Sequence, residues 1–250
     1  MAKIKSLFEI KGTIDGINIY MLNGQWVARK AGGGFTREAI KRKKTMKRVR
    51  QQNSEFASAV DTNMKLRHAV GFLWGNFKFT YLHSRMQGLM QRIKDLDKES
   101  AFGERDAFKG LVTEPGLAEV QAFTYSPLAP LETVLPYTVT MGEDASKIVL
   151  QLEEGGSFPK MEAATHVSLR LGVAVVDAEG HCFDRFGSAA VTVSLDSLPE
   201  TLQLTTEKPV GGMGPKLVFV RVWYGKQEGD KLTLLRNKEA VSVGCVGVVK

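Results

Sequence analysis

Apolar and polar positions change rhythm three times along the chain. Residues 7–30 read as short strands, with Ile10, Ile14, Ile17 and Ile19 interrupted by Gly12 and Gly16. Residues 17–22 and 25–29 flank Asn23-Gly24. That pattern predicts a β-hairpin, because both turn positions need positive φ and Asn and Gly tolerate it. Tyr20 and Trp26 flank the turn and are expected to pair across it. An isolated hairpin is marginal in water, so this one must pack on something. Gly32-Gly33-Gly34 then reads as a joint.

The second rhythm is helical. Thr36 is a good N-cap, and Glu38 sits where the helix dipole favours an anion. From there to about residue 76 no proline occurs and Gly71 is the one glycine before Gly75. Val49, Phe56, Val60, Met64, Leu66, Val70, Leu73 and Phe77 follow helical spacing. Residues 75–83 are ambiguous and read as a turn or bend. A second helix is expected over 84–97, with Met86, Leu89, Met90, Ile93 and Leu96 on one face. Together the two predict a helical hairpin. Residues 99–132, punctuated by Gly103, Pro115, Pro127 and Pro130, read as a mixed linker with a short helix or strand near 110–120.

From 133 onward the rhythm is that of strands. Candidates are 133–141, 147–152, 165–176, 189–195, 201–205, 216–224, 232–235 and 241–249. His166, Ser168 and Arg170 alternate with Val167, Leu169 and Leu171, which reads as half-buried, period-two patterning. Seven or eight short strands in about 115 residues suit an antiparallel sandwich. The Cys–Trp–Cys spacing of true immunoglobulin domains is missing, so the expectation is immunoglobulin-like only. The predicted class is α+β. An N-terminal β-hairpin and helical hairpin fill residues 1–98, a linker 99–132, and an antiparallel sandwich 133–250.

Charge sharpens this division. Residues 1–98 hold 20 Lys/Arg against 7 Asp/Glu, a net +13, whereas 99–250 hold 14 against 20, a net −6. A basic half joined to an acidic half suggests an anionic partner, or attraction between copies in a homo-oligomer. The densest run is Arg37, Lys41, Arg42, Lys43, Lys44, Lys47, Arg48 and Arg50, opposed by Glu38 alone. On one continuous helix, Arg37, Lys41, Lys44 and Arg48 would share a face, with Lys43, Lys47 and Arg50 on a neighbouring stripe. Like charges at those spacings repel by a few tenths of a kcal/mol per pair, so a polyanion or an acidic surface would relieve them. The same text also suits a solvated face, or one docked on an acidic sister domain. The run lacks interleaved aromatics for base stacking, so any nucleic-acid contact would be to phosphates without sequence choice. Arg37, Lys41, Lys44, Lys47, Arg48 and Arg50 are the candidate anion-facing residues.

Other constellations point to structure. The aromatic cluster Phe72, Trp74, Phe77, Phe79 and Tyr81 reads as a core or oligomer contact in preference to a base-stacking platform. Cys182 and Cys245 are too few for a disulfide scaffold and read as buried thiols. His181 reads as a turn residue, since it and Cys182 would point to opposite faces of a strand and not share a metal. Pairing Cys182 with His166 as nucleophile and base is only an arithmetical option. Gly211-Gly212-Met213-Gly214-Pro215-Lys216 has Leu217 where a phosphate loop needs Ser or Thr, and reads as a strand-connecting loop. No cofactor, metal or catalytic residue is assigned. No stretch approaches the roughly 18 apolar residues of a membrane helix. Glu9 and Lys11 interrupt any leader-like apolar core, so a cytoplasmic location is expected.

Several short motifs recur in a known order. They are Gly12-Thr13-Ile14-Asp15-Gly16, Trp26-Val27-Ala28-Arg29-Lys30, Arg50 through Ser54-Glu55-Phe56-Ala57, and Val218–Tyr224 followed by Val241-Ser242-Val243. This ordering resembles a family of uncharacterised Bacteroidetes proteins. In that family a Gly-rich hairpin ends in Arg, a basic segment and a Phe-Ala helix follow, and a β-sandwich closes the chain. The sequence departs from that family in its long basic run and in lacking a Pro after the hairpin. The resemblance implies a fold and transfers no active site. The sequence therefore points to a non-catalytic binding or assembly protein acting through a basic helical arm. The alternative is a sequence-neutral nucleic-acid binder using residues 37–50.

Overall fold

A computed structural model describes residues 2–3, 11–32, 36–229 and 231–250. Ile10, Gly33 and Gly34 of the expected strands and joint lie outside the described residues. The chain forms two compact units, Met1–Asn53 and Ser54–Lys250. The helical residues after Ser54 share their core with the C-terminal strands.

In the first unit β1 (Ala2–Lys3), β2 (Gly12–Ile14), β3 (Ile17–Leu22) and β4 (Gln25–Lys30) form an antiparallel sheet in the order β1-β4-β3-β2. Asn23 and Gly24 take φ of 50° and 75°, as the hairpin turn requires. The two-residue loop sets Leu22 opposite Gln25, so Met21 faces Trp26 and Tyr20 faces Val27. The expected Tyr20–Trp26 pair is thus one residue out of register. Tyr20 instead lies under the Arg29 guanidinium, 5.4 Å from its ring centre.

Helix α1 (Arg37–Arg42) starts where expected, with the Thr36 hydroxyl accepting from the Ala39 amide at 3.2 Å. It does not continue. Lys43 is extended (φ −73°, ψ 131°), a 3-10 turn covers Lys44–Met46, and α2 (Lys47–Val70) begins afresh.

In the second unit α2, α3 (Leu82–Lys94), α4 (Ala107–Leu111) and α5 (Glu114–Gln121) cover one face of a six-stranded sheet. Asp106 and Thr113 cap α4 and α5, and Pro115 sits in the first turn of α5, where its missing N–H costs nothing. These helices approach very closely. A Cβ on Gly110 would meet the Ile93 carbonyl oxygen at 2.0 Å, and one on Gly116 the Gly110 carbonyl oxygen at 2.1 Å.

A short helix, α6 (Leu131–Val134), precedes the strands β5 (Tyr137–Met141), β6 (Lys147–Leu152), β7 (His166–Asp177), β8 (Cys182–Gly187), β9 (Val191–Ser194), β10 (Thr201–Thr205), β11 (Lys216–Glu228), β12 (Lys231–Leu234) and β13 (Val241–Val249). The order β10-β6-β5 makes one sheet, and β12-β11-β7-β8, with β13 on β11 and β9 on β7, makes the other. An antiparallel bridge from Ser188 to Thr206 joins them at one side, giving a curled half-barrel.

The large sheet is apolar on both faces. Val167, Leu169, Leu171, Val218 and Val220 meet Ile148, Leu150 and Leu204 of the small sheet. Ala174, Val176, Leu217 and Phe219 meet Leu66, Met86, Met90 and Ile93 of the helices. The expected half-buried alternation in β7 is not kept, since Val167, Ser168 and Leu169 are buried in succession and so are Leu171 to Val176, with His166 and Arg170 half-buried. Continuous apolar runs mark strands covered on both sides. The helical hairpin expected from the sequence is, beyond Ser54, one layer of this core.

Candidate functional site

The cationic segment 37–50 is built from α1, the 3-10 turn and the first turn of α2. Arg37, Lys41, Lys44, Lys47 and Arg48 are exposed, as are Arg42 and Lys43. Glu38 is already paired with Arg42 at 3.2 Å. The single shared helix face expected for Arg37, Lys41, Lys44 and Arg48 does not form, because the break at Lys43 separates the first two from the last two.

Arg50 has another task. Its Nη1 donates to the Ile40 carbonyl at 2.6 Å and to the Lys43 carbonyl at 3.0 Å. At Ile40 it satisfies a carbonyl that the end of α1 leaves without an intrahelical partner, and at Lys43 it shares a carbonyl that also accepts from the Met46 amide at 3.1 Å. Arg50 therefore holds the break, and the other five candidates form the exposed cationic surface.

Within residues 54–250 charge is used differently. Glu55 is 2% exposed. Its Oε1 accepts from the Gly103 amide at 2.7 Å and from Arg105 Nε at 2.8 Å. Its Oε2 accepts from Lys94 Nζ and Arg105 Nη2, each at 2.8 Å. Asp95 adds a second carboxylate, 2.9 Å from Lys94 and 2.7 Å from Arg105. Hydrogen bonding by Arg105, above all, holds the Glu55 carboxyl at about 2, against the opposing effect of burial. Asp97 turns the same loop by accepting from the amides of Glu99, Ser100 and Asp106. This cluster clamps α2, α3 and the following loop. Sequence reasoning passed over it, although Glu55 falls on the helical phase of Ala59, Leu66 and Val70, where a lone carboxylate signals a buried ion pair.

Arg221 is a second buried charge, 5% exposed. It donates to Ser168 Oγ at 2.7 Å and to the Leu73 carbonyl at 3.3 Å. Burial, and then the neighbouring Arg170, lower its pKa to about 10.

The sequence-flagged chemistry disperses. Asp106 Oδ2 meets His181 Nε2 at 3.0 Å, while Asp106 Oδ1 accepts from Ser58 Oγ at 3.1 Å and the Phe108 amide at 2.8 Å. The acid stands between the hydroxyl and the imidazole, so His181 has no route to the Ser58 proton. His181 sits in a turn at φ 47°.

Cys182 is exposed, not buried, and its thiol donates to Asp177 at 3.6 Å. Partial desolvation and that carboxylate push the thiol up, away from a nucleophilic thiolate. His166 begins β7 and Cys182 pairs with its last residue, so roughly 36 Å of strand separates them. Cys245 is buried, and desolvation pushes its thiol up to about 12.

Phe72, Trp74, Phe77 and Phe79 pack within or against the helix-side core, whereas Tyr81, also expected there, is 78% exposed just before α3. Phe77 meets Phe79 at 4.9 Å and Trp223 at 5.8 Å, edge to face. The glycine loop precedes β11. A Cβ on Gly214 would meet the Val176 carbonyl oxygen at 1.7 Å, so that glycine lets two backbones cross. Among the described residues no three His, Cys, Asp or Glu side chains are grouped to hold a metal, and no helix is long and apolar enough to cross a membrane. No family model, curated protein or solved structure matches the chain.

Proposed function

We propose that the protein is a non-catalytic binding or assembly protein that docks an anionic partner surface through the exposed cations of residues 37–48. In this reading it belongs with the Bacteroidetes proteins whose motif order it resembles, and it works in the cytoplasm. Its rigid body is an immunoglobulin-like sandwich, in the sense that two antiparallel sheets face each other across one apolar interior.

One observation carries the reading. Seven cations stand within residues 37–48, all exposed, and the one carboxylate among them is already paired. Residues 1–53 hold 13 Lys/Arg against 3 Asp/Glu, a net +10, and 54–250 hold 21 against 24, a net −3. The positive charge is thus more concentrated than a division at residue 98 implies. Concentrated positive charge steers and holds anionic surfaces. The weak negative charge of residues 54–250 makes a second copy a poorer counterpart than a dense polyanion.

The second reading, sequence-neutral nucleic-acid binding, uses the same residues. Their density and lack of interleaved aromatics suit phosphate contacts alone.

Chromatography on heparin tests the proposal. The wild type should elute at several hundred millimolar salt. A variant with Arg37, Lys41, Lys44 and Lys47 all changed to Ala should elute near the start of the gradient. An Arg236→Ala, Lys238→Ala control should not shift. Equal elution of all three would remove the cationic segment from the account.

A further inference from the structure

The second unit is an antiparallel half-barrel with an open seam. From β5 the neighbours run β6, β10, β8, β7, β11, β13, and every step is antiparallel, including the Ser188–Thr206 bridge that follows β8 and β10. Seven alternating strands leave the first and last pointing the same way. So β5 and β13 cannot close on each other as an antiparallel pair, whereas one strand opposed to both would be antiparallel to each.

Backbone geometry prepares the seam for such a strand. The Pro136 carbonyl accepts from Glu153 and the Gly142 amide donates to Lys147, so the even-numbered residues between them use their backbone groups on β6. By the alternation of an antiparallel ladder, those of Tyr137, Val139 and Met141 point away from it. On β13 the Val243 amide and carbonyl both turn outward to the Ser126 hydroxyl, at 3.0 and 3.3 Å. Cys245, two residues on in unbroken register with β11, points the same way. Ser126 already supplies, at one position, the bonds a strand would supply at several. Unpaired strand edges are templates for another chain.

The space beside these edges is a groove of about 790 Å³, lined by apolar side chains such as Phe123 and Leu135. Among the described residues, its charged lining residues are Glu132 and Glu153. The edge of β5 spans roughly 16 Å, enough for about five residues of an extended peptide.

We propose that this groove binds one extended strand of a partner, antiparallel to both β5 and β13, with Lys or Arg among its apolar residues. Main-chain bonds would give the affinity and the two glutamates the charge preference, as in other strand additions to a sheet edge. The groove lies wholly within residues 54–250. Failure here leaves the cationic interface standing, and the reverse also holds.

The test uses the full-length protein and a blocked peptide, Lys-Val-Thr-Val-Lys-Val-Thr-Val-Lys. Binding should be saturable and should slow amide exchange at Val139, Met141 and Cys245 at least ten-fold, with no change at Thr138 or Thr140. The same peptide N-methylated at alternate residues, or with Glu for Lys, should bind at least ten-fold more weakly. Val139→Pro removes one outward donor and spares the β6 ladder. It should weaken binding several-fold, and a Val139→Ala control, which loses the same packing against the core but keeps the donor, should bind the peptide like the wild type.

Absent binding, protection at other amides, or equal binding of the N-methylated peptide would overturn the proposal. So would protection that arises without peptide and grows with protein concentration, because the occupant would then be a second copy.

Discussion

At the scale of single residues, Glu55 contributes to the acid sensitivity of the second unit. Its carboxyl sits at about 2 when folded, against an ordinary 4.5. A depressed folded value stabilises the native state above the ordinary value, and that contribution fades as pH falls through the folded one. The shift corresponds to about 3 kcal/mol. Urea unfolding should therefore show wild-type stability declining between pH 4.5 and 2. Glu55→Gln leaves buried Lys94 and half-buried Arg105 with Asp95 as their remaining carboxylate, and should cost about 3 kcal/mol at pH 7. The gap between the two proteins should narrow as the medium is acidified; a gap constant with pH would show that Glu55 acts through packing alone. Neither this cluster nor the role of Arg50 was legible in the sequence as read. A charged residue declares its partner only through tertiary contacts, and Arg105 lies 50 positions from Glu55.

At the scale of elements, what was legible is what local chemistry decides. The Asn23-Gly24 turn, the Thr36 cap and most strand limits follow from φ preference, capping and alternation. The break at Lys43 has no Gly or Pro to announce it, and the Arg50 side chain that bonds its carbonyls lies seven residues on. Alternation sets no limits for β8, although the text at Cys182 is strand-like, because its residues are at most partly buried and two charges interrupt its phenylalanines. The packing of the helices on the large sheet is written in the apolar runs of residues 171–176 and 217–220, while Ser168 and Arg170 give the start of β7 the look of alternation.

Two glycine substitutions test that packing with opposite signs. Gly110→Ala drives a methyl into the Ile93 carbonyl and should cost about 3 kcal/mol. Gly88→Ala, on the open face of α3 with nothing within 4 Å, should stabilise by about 0.5–1 kcal/mol. Paired thermal melts decide it; equal effects would mean that α3 and α4 are not held at the described distance.

At the scale of the whole molecule, charge asymmetry was plain in the sequence, while the place where it changes was not. Composition alone cannot tell that residues 54–98 join the C-terminal core, since their cations lie on helices whose apolar faces do the joining. Once the units are separated, the positive charge gathers on residues 1–53, and the account rests on what those cations hold. Each phosphate neutralised adds about −0.9 to the slope of log affinity against log salt. The most direct measurement is equilibrium titration of duplex DNA, as a generic polyanion, across a salt series. The wild type should bind with a slope of roughly −4 to −6, and the Arg37, Lys41, Lys44, Lys47 quadruple alanine variant should lose most of that slope. Binding that is indifferent to salt, or a variant with the wild-type slope, would contradict the assignment of residues 37–48 as the binding surface.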